Sequence, residues 1–333
     1  MTKKLPVLTI EECKELYFDN NKLLYPSRKL YRMHGYSAGR YYYEVNGGAI
    51  TFFISLTNLI GATMPTPEPL KKWIADMGYE ESREYAQERA DYGTFMHMNF
   101  QTLLINRKLD LDSMGEDLKE YLEKCRLSPY LLEEWLEDQQ MDALGFAQFM
   151  KDFNVKPLAI ELVLASDNGY AGAVDLICLM TITEKGFFGE VYKSGDNKGQ
   201  PKETKRETEV IAIVDFKSGR KNFYENHEVQ LEGCRRLVKE NFPMIDCDKI
   251  KLFNYSPSEW RSKPGYKLKD QTDCLSREKF EHLVQIAKVE MKKRARSVMK
   301  IEGTLDLDKP VEECFRELTL EELIAEQNKQ SES

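Results

Sequence analysis

Three stretches of the chain run almost without polar interruption: Leu158 to Ala165 (LAIELVLA), Gly172 to Ile182 (GAVDLICLMTI) and Val210 to Phe216 (VIAIVDF). Short apolar runs rich in branched side chains predict strands buried on both faces. The first two flank Asp167-Asn168-Gly169, a strong hairpin turn. Lys249 to Tyr255 (KIKLFNY) is a further strand. Near the N-terminus, RYYYEVNGGAITFFI reads as two strands around Asn46-Gly47-Gly48.

Helical spacing fills most of the rest. Ser55 or Thr57 is placed to cap a short helix, and Pro65, Pro67 and Pro69 mark a loop after it. The period is helical from about Glu81 to Leu104 and again over the acidic stretch 110–153, where Trp135, Leu144, Phe146 and Phe149 are expected to pack. Further helices are expected from Tyr224 to Glu240, from Ser276 to Lys300, and near the C-terminus before the polar tail EQNKQSES. Between Glu184 and Thr208 the chain turns polar and rich in Gly and Lys, which predicts a mobile loop interrupting the sheet, its ends close to the strand ends that carry Asp175 and Lys217. The resulting order of helix, three strands, helix and strand predicts an α/β fold with a mixed sheet. The expected division is an N-terminal β-hairpin and helical lead-in (1–80), a core with a helical insert at 110–153 and the polar loop at 184–208 (81–300), and a C-terminal helix and tail (301–333).

Composition narrows the function classes. At 41% hydrophobic and 11% aromatic, the chain can bury a substantial core. No run approaches the length of a membrane span and the start lacks an apolar signal region, so a cytoplasmic protein with no membrane partner is expected. Seven scattered cysteines with no C-x-x-C pair give little support to a zinc ribbon or an iron–sulfur cluster. A net charge of −8 argues against an all-over basic surface, yet a local basic groove suffices to hold phosphates. Two segments offer one: the polar stretch with Lys198, Lys205 and Arg206, and the helical KVEMKKRARSVMK with Lys292 and Lys293. A solvated face is the plainer reading of both.

The apolar strands carry charges that need a purpose. Asp215 and Lys217 end the third strand two residues apart, hence on one side. Acid-x-Lys also occurs at Asp117-Leu118-Lys119 and Glu290-Met291-Lys292, but there without a preceding β-branched run. Asp175 lies mid-strand amid Ala171, Val174, Leu176 and Ile177, where an unpaired charge is costly. Upstream, Gly93 and His97 (GTFMH) lie one helical turn apart, and Gln230 falls on the helix after Lys217. Two carboxylates with an imidazole make a hard, oxygen-rich site that suits Mg²⁺ or Mn²⁺ better than structural zinc.

The ordered set G-T-x-x-H, G-x-x-D, D-x-K and a following glutamine resembles the RecB-like branch of the PD-(D/E)XK nuclease superfamily. The run SLTNLIGATMP…AQERADYGTFMH is similar to the lead-in segment of its phage-type exonucleases. The resemblance spans roughly residues 50 to 255. It implies a restriction-endonuclease-like mixed sheet flanked by helices and a Mg²⁺- or Mn²⁺-dependent DNA exonuclease of recombination or repair, acting in a host cytoplasm if phage-encoded. It further implies His97, Asp175, Asp215 and the Phe216 carbonyl as metal ligands, Lys217 as the catalytic lysine, and Glu161 as an acid of the same site. DNA is the implied partner, with a single-strand annealing or recombination protein and a homo-oligomer as candidate assemblies. One departure stands out: where the family carries Q-x-x-x-Y, this chain has Gln230 and Cys234. A structure-specific or restriction-like endonuclease and a non-catalytic DNA-end-binding module are the alternatives.

Overall fold

A computed structural model of the protein describes residues 10–13, 24, 28–32, 41–46, 49–219, 223–273, 276–294, 299–301, 303–304, 308, 310, 314–317 and 322. Counts and absences below refer to these residues. In chain order, α1 (Ile10–Cys13) and β1 (Leu30–Arg32) precede the hairpin strands β2 (Tyr41–Asn46) and β3 (Ala49–Ser55). Helices α2 (Leu56–Thr63), α3 (Glu68–Met77), α4 (Tyr79–Asn106), α5 (Met114–Cys125) and α6 (Leu131–Asp152) follow. Then come β4 (Lys156–Ala165), β5 (Tyr170–Val191), β6 (Pro201–Phe216), α7 (Glu225–Asn241), β7 (Lys251–Pro257), β8 (Tyr266–Asp270), α8 (Ser276–Arg294), β9 (Met299–Ile301) and β10 (Phe315–Glu317). Ser55 caps α2, its Oγ accepting from the Asn58 N–H at 3.2 Å. No helix is long and apolar enough to cross a membrane.

The protein is mixed α/β, with an eight-stranded sheet between helices. Strand β5 is its spine. On one edge it pairs antiparallel with β4, from Ala165↔Ala171 to Lys156↔Leu179. The other edge is shared. β3 joins it parallel at Tyr170 and Ala171, while β6 joins it antiparallel from Leu176↔Val214 outward. β3 and β6 therefore run toward each other along one edge of β5, and both stop short of the segment Gly172–Val174. β7 then pairs parallel with β6, and β8 antiparallel with β7.

Each sheet face has its own core. Leu56, Leu59, Val229, Leu231, Leu237 and Phe280 cover one face from α2, α7 and α8. Met96, Phe100, Phe146 and Phe149 cover the other from α4 and α6. Of the residues expected to pack, Trp135, Phe146 and Phe149 are buried, but Leu144 faces solvent. It falls on the polar side of α6, between the inward-facing Ala143 and Gly145.

Three expectations need correction. First, the stretch 184–208 is not a loop. β5 and β6 continue as a two-stranded antiparallel ribbon through Glu184↔Arg206, Lys185↔Lys205 and Phe187↔Glu203 to Val191↔Pro201. Its ladder supplies the backbone partners that an exposed loop would take from water. Second, the ends of that stretch do not lie beside the candidate site. Asp175 and Glu184 are nine residues apart on one strand, about 30 Å at the usual rise. Third, the helix expected to reach Lys300 ends at Arg294, and Met299–Ile301 lies in a strand paired antiparallel with Phe315–Glu317.

Candidate metal and catalytic site

Glu161 and Asp175 face each other across the β4–β5 ladder, bracketed by Ile160↔Leu176 and Leu162↔Val174. Regular alternation would put residues two apart on the same face. Here it breaks: Ile160 and Leu176 pack under α4 and α6, whereas Leu162 and Val174 pack under α2, α7 and α8. Both strands change face at this one pair. Glu161 has φ 49°, a left-handed conformation uncommon for any residue but glycine and costly in a strand. Such strain persists only where surrounding contacts enforce it, which marks the pair as a place where side-chain direction matters.

His97 reaches this pair from α4. Its Nδ1 lies 2.9 Å from Oε1 of Glu161, and its ring meets the Phe216 ring edge-on at 5.5 Å. Behind it, Phe100, Phe146, Phe216 and Tyr255 form a buried aromatic wall. One turn before His97, Gly93 leaves room for the chain leaving β6. A Cβ there would stand 3.0 Å from Ser218 Oγ and 3.3 Å from Ser218 Cβ. The G-T-x-x-H spacing thus lets α4 approach the end of β6 closely while delivering an imidazole one turn further on.

Asp175 also ties β5 to β6, with Oδ2 accepting from the Phe216 N–H at 2.7 Å. The next residues lead to the second cluster. Lys217 Nζ lies 2.8 Å from Asp215 Oδ1 and 2.7 Å from Oδ2. Gln230 clamps this pair from α7: its Nε2 donates to Asp215 Oδ1 at 2.9 Å, and its Oε1 accepts from Lys217 at 3.1 Å. Asn254 on β7 donates to Asp215 Oδ2 at 2.8 Å, and Gln271 in turn donates to Asn254 Oδ1 at 3.2 Å. Both oxygens of the nearly inaccessible Asp215 are thereby engaged.

The electrostatics follow from crowding acids in a poorly solvated place. Burial pushes the Asp175 carboxyl upward; His97 opposes this and Glu161 adds to it. Burial likewise raises Asp215, against the pull of Lys217. For His97, burial would lower the imidazolium, but Asp175, then the hydrogen bond and charge of Glu161, outweigh it and push His97 up to about 9. Burial would also lower Lys217, yet Asp215 and then Asp175 hold it above its ordinary value. The site therefore gathers positive charge around its carboxylates.

His97, Glu161 and Asp175 can each offer one ligand atom, all within 4.8 Å of one another. Two carboxylates and one imidazole are a donor set that Mg²⁺ or Mn²⁺ accepts, so these side chains fit such an ion. Of the ligands implied by resemblance, His97 and Asp175 join this set. Asp215 stands beside it, bound to Lys217, Gln230 and Asn254. The Phe216 peptide adjoins Asp175 through its N–H. Glu161 comes to the front of the site, and Gln230 lies where its glutamine was expected. Cys234, one turn beyond Gln230, is buried in the core and raised well above an ordinary thiol, first by burial and then by Asp215.

Asn254 was missed. Its signal was a lone polar side chain inside the apolar run KLFNY. Of the expected phosphate-contacting residues, Lys198 lies at the tip of the ribbon, and Lys205 and Arg206 lie along β6 on opposite faces. Lys292 and Lys293 fall in the last turn of α8, and their side chains lie outside the described residues. No family model matches this chain, and no curated protein is significantly similar to it.

Proposed function

We propose that this chain is a Mg²⁺- or Mn²⁺-dependent deoxyribonuclease with a restriction-endonuclease-like core, cutting DNA from its ends as an exonuclease. The observation that carries the reading is the meeting of His97, Glu161 and Asp175 within 4.8 Å, beside a lysine held on a carboxylate at the end of the neighbouring strand. The order of these residues along the chain, which resembles the RecB-like nucleases, supports the same reading independently.

A divalent ion, when bound by His97, Glu161 and Asp175, supplies Lewis acidity that activates water and offsets phosphate charge. The chain's own groups do the rest. Lys217 is kept as an ammonium by Asp215 and Asp175. In that form Nζ donates and does not accept a proton, so its part is to orient the attacking water and stabilise charge building on the phosphate oxygens. Gln230 fixes Lys217 and Asp215 together through one contact to each. Asn254, itself held by Gln271, fixes the other oxygen of Asp215. The aromatic wall behind His97 keeps water off that side and sets the imidazole's direction.

The test is digestion of linear and covalently closed circular DNA, with Mg²⁺, with Mn²⁺ and with a chelator. Metal-dependent loss of linear DNA with circles spared is the expected result. Nicked circles would assign an endonuclease instead. DNA left intact in every metal would overturn the reading.

A further inference from the structure

The ribbon formed by the outer halves of β5 and β6 stands apart from both cores, and its end carries a cluster of exposed apolar side chains: Phe187 (69% exposed), Phe188 (40%), Val191 and Tyr192. Its two faces differ. Directly paired residues share a face, as do residues two apart on one strand. One face therefore carries Phe187, Lys185, Lys205, Glu203 and Glu207, where charges of both signs offset each other. The other carries Glu184, Gly186 and Phe188 on β5, with Lys202, Thr204 and Arg206 on β6.

On this second face the acid is already committed. Glu184 lies directly across from Arg206, but its Oε1 pairs with Lys251 at 3.4 Å and its Oε2 accepts from Thr208 at 3.3 Å. No ion pair among the described residues engages Lys202 or Arg206. Phe188 lies over Gly186, where an added Cβ would stand 3.3 Å from the ring. That leaves an aromatic ring braced by backbone on the same face as two cations without an ion pair, Arg206 standing about 13 Å along the strands from the level of Phe188. A flat ring sharing a face with two cations spaced about 13 Å along a strand suits an extended polyanion with stackable groups.

We propose that this face of the ribbon binds single-stranded DNA, with Lys202 and Arg206 on phosphates and Phe188 stacked on an unpaired base. The identity of the ligand rests on the nuclease reading. The arm lies about 30 Å or more along the strands from Asp175, so it engages nucleotides remote from the reacting one.

The test is fluorescence-anisotropy titration of a labelled single-stranded oligonucleotide of about 30 nucleotides, ample at about 3.4 Å per nucleotide to reach from site to arm. Chelator is present so that nothing is cut, and several salt concentrations are used. Phe188→Ala should weaken binding about tenfold without moving the slope of log affinity against log salt. The double variant Lys202→Gln/Arg206→Gln should lower that slope by about 1.4, the value for two phosphate contacts on a single strand. Melting temperatures within about a degree or two of wild type establish that both variants fold.

An unmoved salt slope in the double variant, or unchanged affinity in Phe188→Ala, overturns the proposal. So does an equal effect of Phe188→Ala on binding of polyglutamate, which would make the face a protein-binding or general polyanion surface. DNA cutting by the wild-type chain separates the two readings. Ribbon-dependent binding without any cutting keeps the arm and removes the nuclease; cutting with ribbon-independent binding does the reverse.

Discussion

Glu161 holds His97 at 2.9 Å from a backbone conformation that regular strands do not adopt. The contact joins the distorted level of the sheet to α4 and directs one carboxylate and one imidazole toward Asp175. Glu161→Gln keeps the shape and the hydrogen-bonding capacity but removes the charge. It should weaken Mn²⁺ binding by at least about tenfold, as outer-shell changes alone cost 10- to 100-fold. Isothermal titration with Mn²⁺ reads this directly. An affinity equal to wild type would take Glu161 out of the ligand set.

Lys217 has two duties that can be separated. Its ammonium compensates a carboxylate with almost no solvent exposure, and in the proposed nuclease it stabilises the phosphate. Lys217→Ala should cut turnover on linear DNA by roughly 10²–10³-fold. It should also lower the melting temperature, because an uncompensated buried charge remains. Adding Asp215→Asn removes that charge. The double variant should recover much of the lost melting temperature and none of the activity. Recovery of both, or of neither, would contradict the two-part assignment.

How much of this was readable beforehand depends on what each residue's conformation answers to. The strands of Ala159, Ile177 and Ile213 were legible because burial on both faces writes itself as an unbroken apolar run. Asp175, Asp215 and Lys217 were legible as charges within or at the end of such runs, whereas His97 and Gln230, both on helices, were legible only through the ordered motif set that resembles the nuclease family. The left-handed turn at Glu161 was not, since one residue's φ is set by packing from both sides and leaves no periodic trace. The ribbon was misread for a related reason: between Glu184 and Arg206 both faces meet solvent, so the alternation that reveals a half-buried strand is missing while the ladder persists. Asn254 hid in plain view, because its partner Asp215 lies on a different strand.

Gly93 offers a purely steric test of the site's assembly. Gly93→Ala places a methyl 3.0 Å from Ser218 Oγ, so the segment after Lys217 must shift by a few tenths of an ångström. Activity should fall several-fold with a modest loss of stability, and Gly93→Val should be worse on both counts. Ser218→Gly in the Gly93→Ala background removes the opposing atoms and should restore turnover. Steady-state kinetics on linear DNA with a matching set of thermal melts checks this. No rescue would mean that Gly93 is needed for helix geometry and not for the approach to Ser218.

His227 should make stability pH-dependent in a window set by its own shift. Burial, then the charge of Lys217, with Lys269 adding to them and Asp215 opposing, push it down to about 4 from an ordinary value of 6.5. The neutral ring has a structural task, with Nδ1 accepting from the Tyr224 N–H at 3.3 Å at the start of α7. Between pH 4 and 6.5 the unfolded chain binds this proton and the folded chain does not, so stability rises with pH across the window. The contribution is whole above about 6.5, falls away as pH drops, and is fully lost below about 4. Asp175 and Asp215, whose carboxyls are raised, bias the curve in the opposite sense, so the wild-type profile is a sum. His227→Gln isolates the histidine, because it keeps a neutral acceptor for Tyr224 without a titrating group. Melting temperatures from pH 7 down to 4 should fall less steeply in His227→Gln than in wild type, with the curves converging near pH 7. Parallel profiles would show that His227 titrates alike in both states and that its burial carries no proton linkage.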